Sequence, residues 1–199
     1  MKKLSLILIS LLFLNNLTFA NTYSSDPKMF ISELVGDAIS KLSDKNLTEE
    51  EKNTFIEGMA IENVDINALG LYTLGELRKS TDKNTLEKYQ ETFTKYFLKS
   101  LTSRLTDYSS NKFEIINAEK KSSNYTIVKS KIIANDNQPE IKIDWRVYTK
   151  NPDKPLIRDL IVEGLSLART QKEEFSSILN SNNNDINILI SKLEEFINS

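Results

Sequence analysis

Two hydrophobic periods alternate along this chain. Apolar residues recur every three to four positions, then every second position, then every three to four again, a succession of helix, strand and helix. In the first stretch Ile31, Leu34, Val35, Ala38, Ile39 and Leu42 form one stripe, with Asp26 placed to cap it and Pro27 at the first helical position. The spacing predicts an amphipathic helix over 27–42. Thr48 and Glu51 form a capping box that opens a second helix with Phe55, Ile56 and Met59 inward. "INALGLYTLGELR" is apolar on nearly every side, which predicts a short, buried third helix. After Thr81 and Asp82, the positions Leu86, Tyr89, Phe93, Tyr96, Phe97, Leu101, Leu105 and Tyr108 hold the helical spacing and give a fourth helix with an aromatic stripe.

At "YSSNK" the period changes to two. Strands are predicted over 113–118, 125–133, 140–149 and 156–163, separated by "EKKSSN", "ANDNQP" and "KNPDKP". Sequential strands joined by short polar turns make an antiparallel meander. In the third strand Ile141, Ile143, Trp145 and Val147 face one way, while Lys142, Asp144, Arg146 and Tyr148 face the other, so one face is wet and one packs against helices. Thr170 and Glu173 form another capping box, predicting a helix over 171–180 with Phe175, Ile178 and Leu179 inward. Asp185 caps a last helix carrying Ile186, Leu189, Ile190, Leu193 and Phe196. The expected fold is α+β: a bent antiparallel four-stranded meander, packed on one face by a mainly N-terminal set of helices plus two C-terminal helices.

The chain of 199 residues suits one well-cored domain. Residues 1–20 stand apart from it. Lys2 and Lys3 precede the apolar run "LSLILISLLFL", and "LTFA" ends on a small residue, the layout of a secretory signal peptide cleaved after Ala20. The run is too short to span a membrane, which takes about 20 apolar residues. Residues 21–199 are therefore expected to form a single exported, periplasmic domain. Without the two leader lysines its net charge is about −4, and acids and lysines are interspersed throughout, which argues against nucleic acid as a partner.

Neither cysteine nor histidine occurs. The first absence leaves stability to apolar burial, and the second removes the usual general base and a common metal ligand. Ser166, in "GLSLA", lies near a nucleophile-elbow pattern, but a serine needs a base to take its proton. With no histidine, the reading is that Gly164 permits a sharp turn and Ser166 satisfies backbone donors there. Asp159 and Glu163, four apart on the predicted strand, would share a face; such a pair is more often solvated or bonded to Arg158, Arg146 or Arg169 than catalytic. The "DKNLTEEEKN" run is a solvated helix start without calcium-loop spacing. What remains is apolar: the aromatic fourth helix and the Trp145 face of the sheet fit either a filled core or a ligand cavity.

Two segments carry a resemblance. "LIRDLIVEGLSLARTQKEEFSSIL" is similar to the C-terminal signature of the MlaC family, a strand carrying Asp and then Glu-Gly-x-Ser leading into a helix with a phenylalanine, and "LGLYTLGELRKSTDKNTLEKYQETFTKYFLKSL" resembles that family's Leu-Gly pair followed by a helix centred on Phe. Leu74, Gly75, Phe93, Asp159, Gly164, Ser166 and Phe175 sit in the matching segments. The chain departs from the pattern at Leu156-Ile157, where an aromatic is common, and at Gln171 and Lys172, where an arginine is common. The resemblance implies a monomeric periplasmic carrier with no catalytic residue, metal or cofactor, whose ligand is a phospholipid with its acyl chains in an apolar cavity. It also implies exchange with an inner-membrane Mla ABC transporter complex and an outer-membrane lipoprotein-porin complex. Facing assigns the lining to Leu74, Phe93, Tyr96, Phe97 and Leu101 from helices and to Ile127, Ile141, Ile143, Trp145 and Val147 from the sheet. Two other classes stay open here: a cone-shaped α+β enzyme of isomerase or dehydratase type using Asp159, and a protein-interaction module using the aromatic surface.

Overall fold

The computed structural model describes residues 23–105, 112–134 and 139–199; the predicted export segment 1–20 and Tyr108 lie outside them. Among these residues no helix is long and apolar enough to cross a membrane.

Helix α1 (Pro27–Ser43) starts where Asp26 accepts from the backbone N–H groups of Lys28 and Met29. Its inner face begins one residue earlier than the spacing suggested, at Phe30, which is 1% exposed. Helix α2 (Glu49–Asn63) opens on the complete Thr48–Glu51 capping box. The predicted third helix divides in two. Helix α3 (Ile66–Thr73) ends at Leu74, Gly75 follows with φ +57°, and a 3₁₀ turn covers Gly75–Lys79; a left-handed residue cannot continue a helix and costs glycine nothing. Nor is α3 buried all round, because Tyr72 is 42% exposed and Leu69 and Leu71 are half-buried. Helix α4 (Lys83–Leu105) follows Asp82, whose carboxylate accepts from Thr85 N–H.

The sheet is an antiparallel meander in the order β1 (Phe113–Ser122), β2 (Tyr125–Ile132), β3 (Ile141–Tyr148), β4 (Leu156–Val162) and β5 (Leu165–Ser166). The first hairpin is tighter than expected: 119–122 belong to β1, and Ser122 pairs with Tyr125. Bulges interrupt β1 twice and the β3–β4 pairing once, each adding local bend and twist. The short fifth strand arises because Glu163 (φ 48°) and Gly164 (φ 83°) reverse the chain onto β4. Glu163 has thus left the strand, and the Asp159–Glu163 pair does not form: Glu163 instead accepts from the Lys142 N–H.

Helix α5 (Leu167–Asn180) begins four residues before the predicted start. Its cap is Ser166, whose Oγ accepts from Arg169 N–H at 3.1 Å, while the Thr170 hydroxyl turns back to the Ser166 carbonyl inside the first turn. The Thr170–Glu173 pair is therefore helical interior and not a capping box. Ser166 wins because the sheet holds it in place through Asp159, as described below. Asp185 caps α6 (Ile186–Asn198) as expected.

Among the described residues the apolar side chains form two cores. One joins the sheet to α1 and α2 through Phe30, Ile31, Leu34, Met59, Val128, Val147 and Ile157. The other is wholly helical, built by α3, α4, α5 and α6 around Tyr89, Phe93, Phe175, Leu189 and Ile190. Val64, between α2 and α3, packs against both.

The two capping assignments for α5 separate experimentally. Ser166→Ala removes a cap and one partner of a buried carboxylate and is expected to lower unfolding free energy by about 2 kcal/mol. Thr170→Ala is expected to stay within about 0.5 kcal/mol of the parent, because alanine is the better helix former. Urea unfolding at unchanged m value measures both.

Candidate functional site

Strand alternation gives the sheet two unlike faces. On the α1 side, Val128 and Val147 are wholly buried and Ile157 nearly so. Along the same face toward the start of β3 the cover thins: Trp145, Ile143 and Ile141 on β3, Leu160 and Val162 on β4 and Phe113 on β1 are each only half-buried. Val35 and Ala38 on α1, which pack on the same core, are half-buried as well. The polar atoms on this surface bond to one another: Trp145 Nε1–H donates to Ser130 Oγ at 2.9 Å, and Ser130 Oγ–H donates to the Ile143 carbonyl at 2.8 Å. Ser130 is 1% exposed, so what this face presents is apolar. Its half-covered end can take an apolar ligand without unpairing a buried donor.

The reverse face is polar. Pairing aligns Glu119, Ile127, Arg146 and Asp159 in one row and Asn117, Lys129, Asp144 and Ile161 in the next. With Ala68, Leu69 and Tyr72 of α3 and Ala168 of α5, part of this surface lines an open cleft of about 830 Å³. Glu119 bonds both Lys121 and Lys129 (2.6 Å); these hydrogen bonds, that of Lys121 foremost, hold its carboxyl at about 2. Arg158 bonds Asp65 at 2.8 Å and the Tyr125 hydroxyl at 2.9 Å, and its guanidinium carbon lies 3.4 Å from the Tyr148 ring centroid.

Asp159 sits at the edge of this cleft, 3% exposed. Its Oδ2 accepts from Ser166 Oγ–H at 2.7 Å and its Oδ1 from Ala168 N–H at 3.0 Å, with Arg146 at 3.5 Å. The bonds fix the first turn of α5 on the middle of β4. Ser166 donates to a carboxylate that is itself held by the helix, an arrangement of caps and not a nucleophile beside a proton relay.

The residues proposed as a lining fall in three places. Ile141, Ile143, Trp145 and Val147 share the α1 face, with Val147 at its closed end. Ile127, paired with Arg146, points the opposite way and lines the cleft. Leu74 and Phe93 are buried in the helical core with Tyr96 and Phe97 packed on it, and Phe93 stacks on Phe97 at 6.3 Å and meets Phe175 edge-on at 6.2 Å. Leu101 is half-buried on α4. That helix packs on α2, α3 and α6, which explains why its aromatic stripe fills a helical core. Sequence reasoning passed over Phe30, although its three-and-four spacing to Leu34 was visible, and over the reverse-face cleft, whose charged residues read as solvated surface.

Residues 32–195 match the family model for the MlaC protein. Among solved structures, the fold is similar to that of a phospholipid-binding protein from Ralstonia solanacearum, determined in complex with a phospholipid. The two are 17% identical with a TM-score of 0.71, over 84% of this chain and 94% of that one. No curated protein matches the chain.

The Glu119 cluster makes a prediction about pH. Its folded value lies near 2 against an ordinary 4.5, so its contribution is present above about pH 4.5 and is lost as pH falls through 2. The group is partly exposed, and salt is expected to weaken the effect. Side-chain carboxyl NMR should show Glu119 titrating near 2 in the parent and closer to 4.5 in Lys129→Met; an unmoved midpoint would remove the Lys129 bond from the explanation.

Proposed function

The chain belongs to the MlaC family, and on that premise we propose that it is a periplasmic phospholipid carrier. Acyl chains lie against the α1 face of the sheet at its half-covered end, over Ile141, Ile143 and Trp145. The observation that carries this reading is the gradient along that face, from wholly buried Val147 to half-buried Ile143 and Ile141, with Ser130 and Trp145 keeping their polar atoms paired. The similar Ralstonia solanacearum fold, determined with a phospholipid, supports it.

Binding of this kind runs on apolar transfer. Each buried acyl methylene contributes about 0.8 kcal/mol, so two chains offset most of what leaving a bilayer costs. No bond is made or broken. Asp159, the residue an enzyme on this fold would use, is occupied by Ser166 and the α5 backbone, which favours the carrier over the isomerase or dehydratase alternative. In this reading the protein takes lipid from one membrane complex and delivers it to another, an inner-membrane ABC transporter and an outer-membrane lipoprotein-porin assembly. The segment 1–20 directs export and is removed after Ala20, and the carrier works as a monomer.

Ile143→Asp and Ile141→Asp test the site. A carboxylate on this face must be desolvated when an acyl chain covers it, a cost of several kcal/mol, so the phospholipid recovered by organic extraction and mass spectrometry should fall at least about tenfold. Ile116→Asp, at an exposed bulge on β1 (50% exposed), should keep the parent amount. Circular dichroism confirms that each variant is folded. Undiminished lipid in folded Ile143→Asp and Ile141→Asp would move the chains elsewhere.

A further inference from the structure

We infer that the cleft on the reverse face of the sheet binds a small zwitterion, a phosphate and an ammonium joined by a short bridge, between Arg146 and Asp144. The acyl site proposed above uses the α1 face and leaves this cleft without a role.

Its charged groups are not equivalent. Lys121 and Lys129 both bond Glu119, and Arg158 is fixed by Asp65, Tyr125 and the face of Tyr148. Those three cations already have partners of opposite charge or matching geometry. Arg146 is less committed: among the described residues its one ion pair is the 3.5 Å approach to Asp159, whose two oxygens already accept from Ser166 and Ala168, and its side chain is 45% exposed. A guanidinium carries five donors in a planar fork suited to phosphate or carboxylate, and most of this fork is open to the cleft.

Asp144 is the complementary case. It is half-buried and lines the same cleft, and its carboxylate accepts no hydrogen bond among the described residues. Lys129, directly across the ladder, feels its charge but bonds to Glu119. Asp144 and Arg146 are two positions apart on β3 and so share one face, about 6.6 Å apart along the strand. A phosphate on the Arg146 fork and an ammonium on the Asp144 carboxylate, linked by two carbons, span that distance with ordinary hydrogen bonds on both ends.

Selectivity follows from the pairing. A lone anion at Arg146 sits beside the Asp144 carboxylate, and a lone cation at Asp144 sits beside the guanidinium, so each meets a repulsion that the paired ligand turns into an attraction. Ile127 and Ile161 flank the two groups on the neighbouring strands, with Leu69 on the α3 wall, and these apolar neighbours reduce competition from water. The zwitterion has two sources, a free phosphoethanolamine-type molecule or the head group of a phospholipid.

The test titrates the purified full-length mature chain with O-phosphoethanolamine, inorganic phosphate and ethanolamine, followed by amide NMR and calorimetry. Phosphoethanolamine should bind saturably, at least about fivefold tighter than either half alone, and perturb Lys129, Asp144 and Arg146 amides. Asp144→Asn should remove the preference over phosphate, and Arg146→Gln should remove phosphate binding too; a thermal melt on each variant confirms folding. Absence of saturable binding, equal affinity for phosphate, or parent-like binding by both variants overturns the proposal. Competition by phosphatidylethanolamine vesicles but not by phosphatidylglycerol vesicles would identify a lipid head group as the source, and lack of competition a free zwitterion. Lipid copurification is measured alongside, so a protein that binds phosphoethanolamine but carries no lipid counts against the carrier reading alone.

Discussion

A buried carboxylate joins the two halves of this molecule. Asp159 is on β4, in the sheet, yet both its oxygens are bonded to the start of α5, which belongs to the helical core. Taking a charged carboxylate out of water is unfavourable unless hydrogen bonds replace the solvent, and here a hydroxyl, a backbone N–H and a nearby guanidinium do so. This exchange ties the start of α5 to β4, since Ser166 caps the helix from the position in which it also donates to Asp159. A second joint lies beside it on β4, where Asp65 N–H donates to the Ile157 carbonyl at 2.9 Å and the Asp65 carboxylate, which caps α3, bonds Arg158. Two helix caps are thus tied to neighbouring positions of one strand.

This connection explains how the chain can hold two separate cores. The helical core is closed by aromatic and aliphatic side chains and needs nothing from the sheet. The sheet core is covered mainly by α1 and α2, and α1 covers only part of the face it meets. Residues at the uncovered end, Ile141 and Ile143 among them, are left half-exposed on one side of a sheet whose other side carries Lys129, Asp144 and Arg146. Because successive residues of β3 serve opposite faces, one strand furnishes an apolar surface and a charged cleft from alternate positions.

Much of this architecture was legible in the sequence, for physical reasons. Caps with local partners were read correctly: Asp26, the Thr48–Glu51 box and Asp185 need only residues within the next turn. The alternation of β3 was equally clear, since its period is independent of context. What failed depended on distant partners. Thr170 and Glu173 fit a local capping rule, but Asp159, earlier in the sequence and on another element, gave that role to Ser166. The aromatic stripe of α4 looked like a cavity wall because periodicity reports that a face is covered and not by what. Ile127 was assigned beside Trp145 without its register, and one step of register changes the face. The charged cleft was invisible for the converse reason: Asp144 and Arg146 read as the wet face of one strand until pairing across strands sets Lys129 beside them on one floor.

The half-covered state of the α1 face bears directly on the carrier reading. Had α1 sealed that face, an acyl chain would have to displace protein contacts of about the same value as its own, and little net affinity would remain. With Ile141, Ile143 and Trp145 already touching water, the chain replaces solvent, and its full transfer free energy is available for binding. The opposite extreme fails as well, since a large exposed apolar patch invites association with other proteins. A face buried at Val147 and half-open at Ile141 lies between these limits. It anchors the sheet through its closed end, and in the carrier we propose its open end takes the ligand, so that lipid would enter or leave without dismantling either core.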